Sequence, residues 1–214
     1  MDPYAAQRAF AEWAAQRGYE LVAQPDARLY QAWYPFQYLR PIAGVSRELR
    51  VVIGDARVSI VEVAFADAVG QVVGESRGVL FFALLDRLRY RAAVRSKSGG
   101  GVTDDLSRGL KEVGDFFSRG LQQGPVAGAL LGDPVLEQRC ELLVPSPHEG
   151  NLALPMPLRQ ILTHPSFQGV VELRPGGMAV QMYDLHTLDV HAVEQGVMRM
   201  KQLVDAATAY PPGA

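Results

Sequence analysis

The chain has 214 residues, 48% of them apolar and 21% charged, with a net charge of −2. That length can bury the core of one large or two small domains, and the near-average composition excludes wholesale disorder. The slightly acidic balance excludes a general nucleic-acid binder, which needs a basic excess.

The longest apolar run, residues 79–85, is far short of the roughly 20 residues of a membrane span. Three lysines stand against eighteen arginines, a skew that points to a GC-rich bacterial genome rather than to a function. Cys140 is the single cysteine, so no internal disulfide forms; within the apolar run 136–144 it reads as a buried, inert thiol. Met1-Asp2-Pro3-Tyr4 does not begin a signal peptide, so the cytoplasm is the expected location.

In chain order, Asp2-Pro3 opens a helix that carries Phe10, Trp13 and Ala14 and stops at Arg17-Gly18. A short strand at 20–23 precedes the aromatic, proline-punctuated segment 29–41. Runs 49–53 and 58–65 are β-branched and flank Gly54-Asp55, a hairpin dipeptide; runs 71–73, 78–84 and 88–94 continue the pattern. Connections this short predict an antiparallel meander rather than crossover units. Residues 96–101 read as a Gly/Ser linker and 103–121 as a glycine-weakened amphipathic helix, followed by a small-residue loop at 122–132. The last third predicts a strand at 136–144 and a helix at 157–163. A hairpin of 170–174 and 178–184 follows around Pro175-Gly176-Gly177, then a long helix from Asp189 to about 209.

The expected fold is therefore α+β: an antiparallel β-meander followed by a β-α-β-β-α half, with helices at both termini. The expected division is 1–95, a linker and helix at 96–132, and 133–214.

Trp33-Tyr34-Pro35-Phe36 with Gly44, the strand 136–144, residues 158–162 and the hairpin 170–183 resemble an uncharacterised bacterial family of unknown function, common in GC-rich genomes. The resemblance implies the same meander and β-α-β-β-α order. That family has no established activity, so it implies no catalytic residue.

Four constellations carry possible chemistry. Gly74-Glu75-Ser76-Arg77-Gly78 matches the nucleophile elbow of α/β-hydrolases, which requires a strand before the serine and a helix after it. The run after it reads as a strand, so a glycine-flanked turn is preferred. Asp184, His186, Asp189 and His191 crowd eight residues, yet a metal needs ligands that converge. Asp184 as a strand end and Asp189 as a helix cap explain them without one. Arg87, Arg89, Arg91, Arg95 and Lys97 alternate with Leu88, Tyr90, Ala92 and Val94; on a strand they would form one basic face for an anionic or protein partner. Their plainer reading is a solvated face paired to acids on neighbouring strands. Tyr30, Trp33, Tyr34, Phe36 and Tyr38 would line a ligand site or, more simply, cover an open end of the sheet.

The sequence thus predicts a non-enzymatic binding or interaction module without a cofactor, its surface formed by Trp33, Tyr34, Phe36, Arg87, Arg89 and Arg91; a homo-oligomer is compatible with it. The alternative is a small hydrolase or metal-dependent enzyme using Ser76 or the His186/Asp189/His191 cluster.

Overall fold

A computed structural model of the chain describes residues 5–31, 33, 38–65, 77–97, 126–127 and 131–209. The expected strand at 71–73, the helix at 103–121 and Ser76 lie outside the described residues, as does most of the expected linker.

The β-branched runs form the hairpin of β2 (Ile42–Ile53) and β3 (Ala56–Phe65). It turns at Gly54, whose φ of 58° lies in the left-handed region that glycine enters without strain. β2 begins earlier than its apolar run predicts, because two register irregularities carry the strand through Gly44 and Ser46. β1 (Glu20–Val22) pairs outside β2, and β4 (Arg77–Leu85) pairs inside β3. These four strands are a true meander.

The next strand departs from it. β5 (Ala92–Ser96) starts four residues later than its alternating pattern predicts, and residues 86–91 are an irregular connection. The free edge of β4 is taken by β9 (Gly176–Met182), which forms a hairpin with β8 (Gly169–Arg174). The chain therefore passes the tip of that hairpin, where the Gly176 amide donates to the Leu88 carbonyl at 3.0 Å, and β5 joins the far side of β8. β7 (Cys140–Val144) and β6 (Val126–Ala127) complete a nine-stranded antiparallel sheet of order β1-β2-β3-β4-β9-β8-β5-β7-β6. The α+β class holds.

Helix α1 (Ala5–Gln16) and helix α2 (Ala27–Gln31) lie near the N-terminus. The expected strand at 136–144 is half helix. Asp133 caps α3 (Pro134–Arg139), accepting from the Leu136 amide at 3.1 Å, with proline in the first turn. Ser146-Pro147 repeats the device at α4 (Pro147–Ala153). Then come α5 (Met156–Leu162) and α6 (Val190–Ala207), the latter capped by Asp189 as predicted. No described helix is long and apolar enough to cross a membrane.

One face of the sheet carries α1, α4, α5 and α6 over a core centred on Phe81, Ile60, Leu49 and Met178. The other is covered only over part of its area, by Tyr30, Leu39 and the residues around them. Residues 78–83 of β4 are buried on both sides, which is why they read as a continuous apolar run. Each cover is fastened by a buried carboxylate. Glu62 on the helical side accepts from the Leu188 amide at 2.8 Å, just before α6. Glu172 on the opposite side accepts from the Tyr38 and Leu39 amides at 2.6 and 2.8 Å. Burial alone would raise the pKa of Glu62, but the Leu188 amide, Arg47 and Ser46 outweigh it and hold the carboxyl below its ordinary value.

Candidate functional site

The less covered face is built of cross-strand rows. In the innermost, Glu48, Val61, Leu80, Gln181, Val170, Arg95 and Glu141 are successive partners. The next row is Arg50, Ser59, Phe82, Ala179, Glu172, Ala93 and Leu143. Tyr30, Trp33, Tyr38 and Leu39, from the described residues of α2 and the stretch before β2, lie over these two. Tyr30 and Trp33 pack on Phe82 with ring centroids 4.8 and 5.2 Å apart. Arg95 stacks on Tyr38 at 4.7 Å and pairs with Glu141. Burial raises the hydroxyl pKa of both Tyr30 and Tyr38, so both stay protonated. For these residues the aromatic cluster is a cover for the sheet; Tyr34 and Phe36 lie outside the described residues.

The third row is open from Val52 to Leu84 and covered by Trp33 at Gly177. Val52, Arg57, Leu84, Gly177 and Arg174 are successive register partners across β2, β3, β4, β9 and β8. Strand spacing makes this row about 19 Å long. Val52 is 74% and Leu84 54% exposed, and Arg57 is exposed between them. Gly177 admits the edge of Trp33, since a Cβ there would meet the indole at 2.5 Å and the Ala83 carbonyl at 2.7 Å. Arg174 stacks on Trp33 at 4.1 Å and donates to its carbonyl. Arg91, the last residue before β5, lies near enough to Arg174 to act on its charge. Burial first, opposed by Glu172 and reinforced by Arg91, lowers the Arg174 pKa from its usual value.

Of the sequence-predicted arginines, Arg91 comes near this row, at Arg174, and by a route other than the predicted one. Arg87, Arg89 and Arg91 are exposed, but on the connection between β4 and β5 rather than along a strand. Leu88 beneath them is buried and Tyr90 is 39% exposed. Arg95 and Lys97 leave the group: Arg95 is paired as above, and Lys97 donates to the Glu137 carbonyl at 2.6 Å. None of Arg57, Arg87, Arg89 and Arg91 forms an ion pair with a described residue. Asp55 and Asp86 are exposed at the tips of the same end. Sequence reading missed Arg57, Val52 and Leu84. The exposed positions on β2 and β3 follow from period 2, but their alignment with Arg174 depends on the insertion of β9 beside β4.

The other candidates resolve as follows. Asp189 caps α6 by accepting from Ala192 at 2.8 Å, and it receives the Thr187 hydroxyl at 3.2 Å. His186 and His191 are exposed, and no group of three or more metal-ligating side chains exists among the described residues. Cys140 is buried, its thiol pushed up to about 11 by burial and directed at the Leu162 carbonyl at 3.6 Å. A groove of about 880 Å³ runs between α5 and α6, over Ile161, Phe167, Met198 and Leu203. Its charged groups are already used: Arg199 pairs with Asp184 at 2.7 Å and Asp205 with Lys201 at 2.6 Å.

No family model matches this chain, and no curated protein matches it. Among solved structures, the crystal structure of the mycobacterial trehalose monomycolate transport factor A is similar, with a TM-score of 0.58 and 10% identity over 97% of each chain. The shared feature at that identity is the fold. These findings are consistent with an uncharacterised family of unknown function.

Proposed function

We propose that this chain is a non-enzymatic binding module of the bacterial cytoplasm, which holds a partner at the open end of its sheet through Arg87, Arg89 and Arg91 with Trp33 alongside. One observation carries the reading. Exposed Arg57 lies between exposed Val52 and Leu84 in the sheet register, and exposed Arg87, Arg89 and Arg91 flank exposed Tyr90 in the chain, none of them with a described carboxylate partner. Exposed apolar side chains gathered beside unpaired cations are a feature of interaction surfaces. A cluster of like charges carries a repulsion that an anionic partner relieves. The structural neighbour bears the name of a transport factor, in keeping with a non-enzymatic role. Tyr34 and Phe36 are among the proposed binding residues and lie outside the described ones.

Reversal of Arg87, Arg89 and Arg91 to Glu tests it. Surface substitutions of this kind each change stability by no more than about 0.5 kcal/mol, so the variant is expected to melt within a few degrees of the parent. In affinity purification from the native organism, recovery of the partner is expected to fall at least about tenfold. Unchanged recovery by a folded variant overturns the reading.

A further inference from the structure

We infer that the occupant of the open row is an acidic amphipathic helix of a partner protein, laid across the strands. This rests on the binding-module reading above and specifies its ligand.

The row is long and narrow. It is one residue wide, and from Arg57 it passes Leu84, the Trp33 ring seated on Gly177 and Arg174 to reach Arg91, which acts on the charge of Arg174; one strand spacing per step makes this about 19 Å. A rod matches that outline, and a plane does not: an anionic membrane pressed against this end would meet Asp55 and Asp86 at the tips. Between Arg57 and Arg174 the row offers no backbone groups to an occupant that crosses the strands. The main-chain donors and acceptors of β3, β4, β9 and β8 are spent on their neighbours in the sheet. An added strand gains its affinity from main-chain hydrogen bonds at an edge, so it has nothing to bind here. An α-helix satisfies its own backbone and presents only side chains.

The side chains fix the pattern. Arg57 and Arg91 are the exposed cations, with Leu84 and the Trp33 ring between them and Val52 just outside Arg57, and Arg174 is already held by Trp33. A helix rises 1.5 Å per residue, so acids separated by about fourteen residues lie on one face roughly 21 Å apart. Leucines between them at the i+3, i+7 and i+10 positions complete the stripe. The partner motif is therefore an acid at each end of a three-leucine seam.

The probe is a synthetic helical peptide with Glu at i and i+14 and Leu at i+3, i+7 and i+10, titrated into the full chain by calorimetry. The control peptide carries Gln for both Glu. Phosphatidylcholine vesicles containing phosphatidylserine form a separate arm. Binding of the Glu peptide is expected, about tenfold tighter than the Gln peptide and weakened by salt. The Arg57→Glu/Arg91→Glu variant, checked for folding by circular dichroism, is expected to lose the Glu peptide and to accept a Lys peptide of the same pattern. Equal affinity for the Glu and Gln peptides, no binding of the Glu peptide, or binding of vesicles in its place overturns the inference. If the peptide fails while reversal of Arg87, Arg89 and Arg91 still abolishes partner recovery, the helix is wrong and the binding surface stands.

Discussion

Alanine at position 196 is expected to destabilise the protein by about 2 kcal/mol, although alanine is the better helix former by about 1 kcal/mol. Gly196 lies in the interior of α6, where it faces Phe81. A Cβ there would sit 2.2 Å from the Cζ and 2.5 Å from the Cε1 of that ring. The ring has no room to retreat, because Phe81 and its strand partners Ile60 and Val180 are all fully buried. Overpacking costs typically about 1–3 kcal/mol, and a contact this short belongs at the upper end. In a chain of this length, the net loss lowers the melting temperature by about 4–8 °C. Shortening the ring with Phe81→Leu in the Gly196→Ala background is expected to recover part of the loss, because the two residues share one contact. A gain in stability from alanine alone would show that α6 does not pack on Phe81 as described.

The second large effect concerns the segment that borders the open row. Glu172 is 6% exposed and receives two backbone amides, those of Tyr38 and buried Leu39. Glu172→Ala leaves both donors without this acceptor, and an unsatisfied buried donor costs about 1–3 kcal/mol, so a loss of about 2–4 kcal/mol is expected. Glu172→Gln keeps a carbonyl oxygen in place and is expected to cost less than half as much. The two variants also differ in what they release. Trp33 and Trp13 are the two tryptophans of the chain. In a Trp13→Phe background, the emission of Trp33 is expected to shift to the red in Glu172→Ala and to stay put in Glu172→Gln. Equal stability and equal emission of the two variants would contradict the fastening role of Glu172.

What could be read from the sequence was what local chemistry determines. Gly54, Pro175-Gly176-Gly177 and Asp189 mark their turns and cap whatever lies across from them, so the two hairpins and α6 stand where expected. Asp133-Pro134 and Ser146-Pro147 are signals of the same kind. The first was overridden by the density of apolar residues at 136–144, and the helix it opens is too short to show a period. β5 was misplaced for a different reason. Alternation of arginine with apolar residues at 87–94 mimics a strand. The hydrogen-bonding neighbour that decides where the strand starts is β8, more than seventy residues further on. The same separation hid the open row: Arg57, Leu84, Gly177 and Arg174 come from distant parts of the chain and are aligned only by register. Exposed arginines at 87, 89 and 91 were legible; the row that Arg91 comes near was not.

Photo-crosslinking at two equally exposed positions tests the central claim most directly. Leu84, on the open row, and Met156, on α5 across the sheet, are each 54% exposed. With benzoylphenylalanine at one or the other in the native cell, a covalent adduct is expected from position 84 and not from position 156. That adduct is expected to vanish when Arg57 and Arg91 are both reversed to Glu. An adduct from position 156 alone, or one from position 84 undiminished by the reversal, would contradict the assignment of the open row as the binding surface.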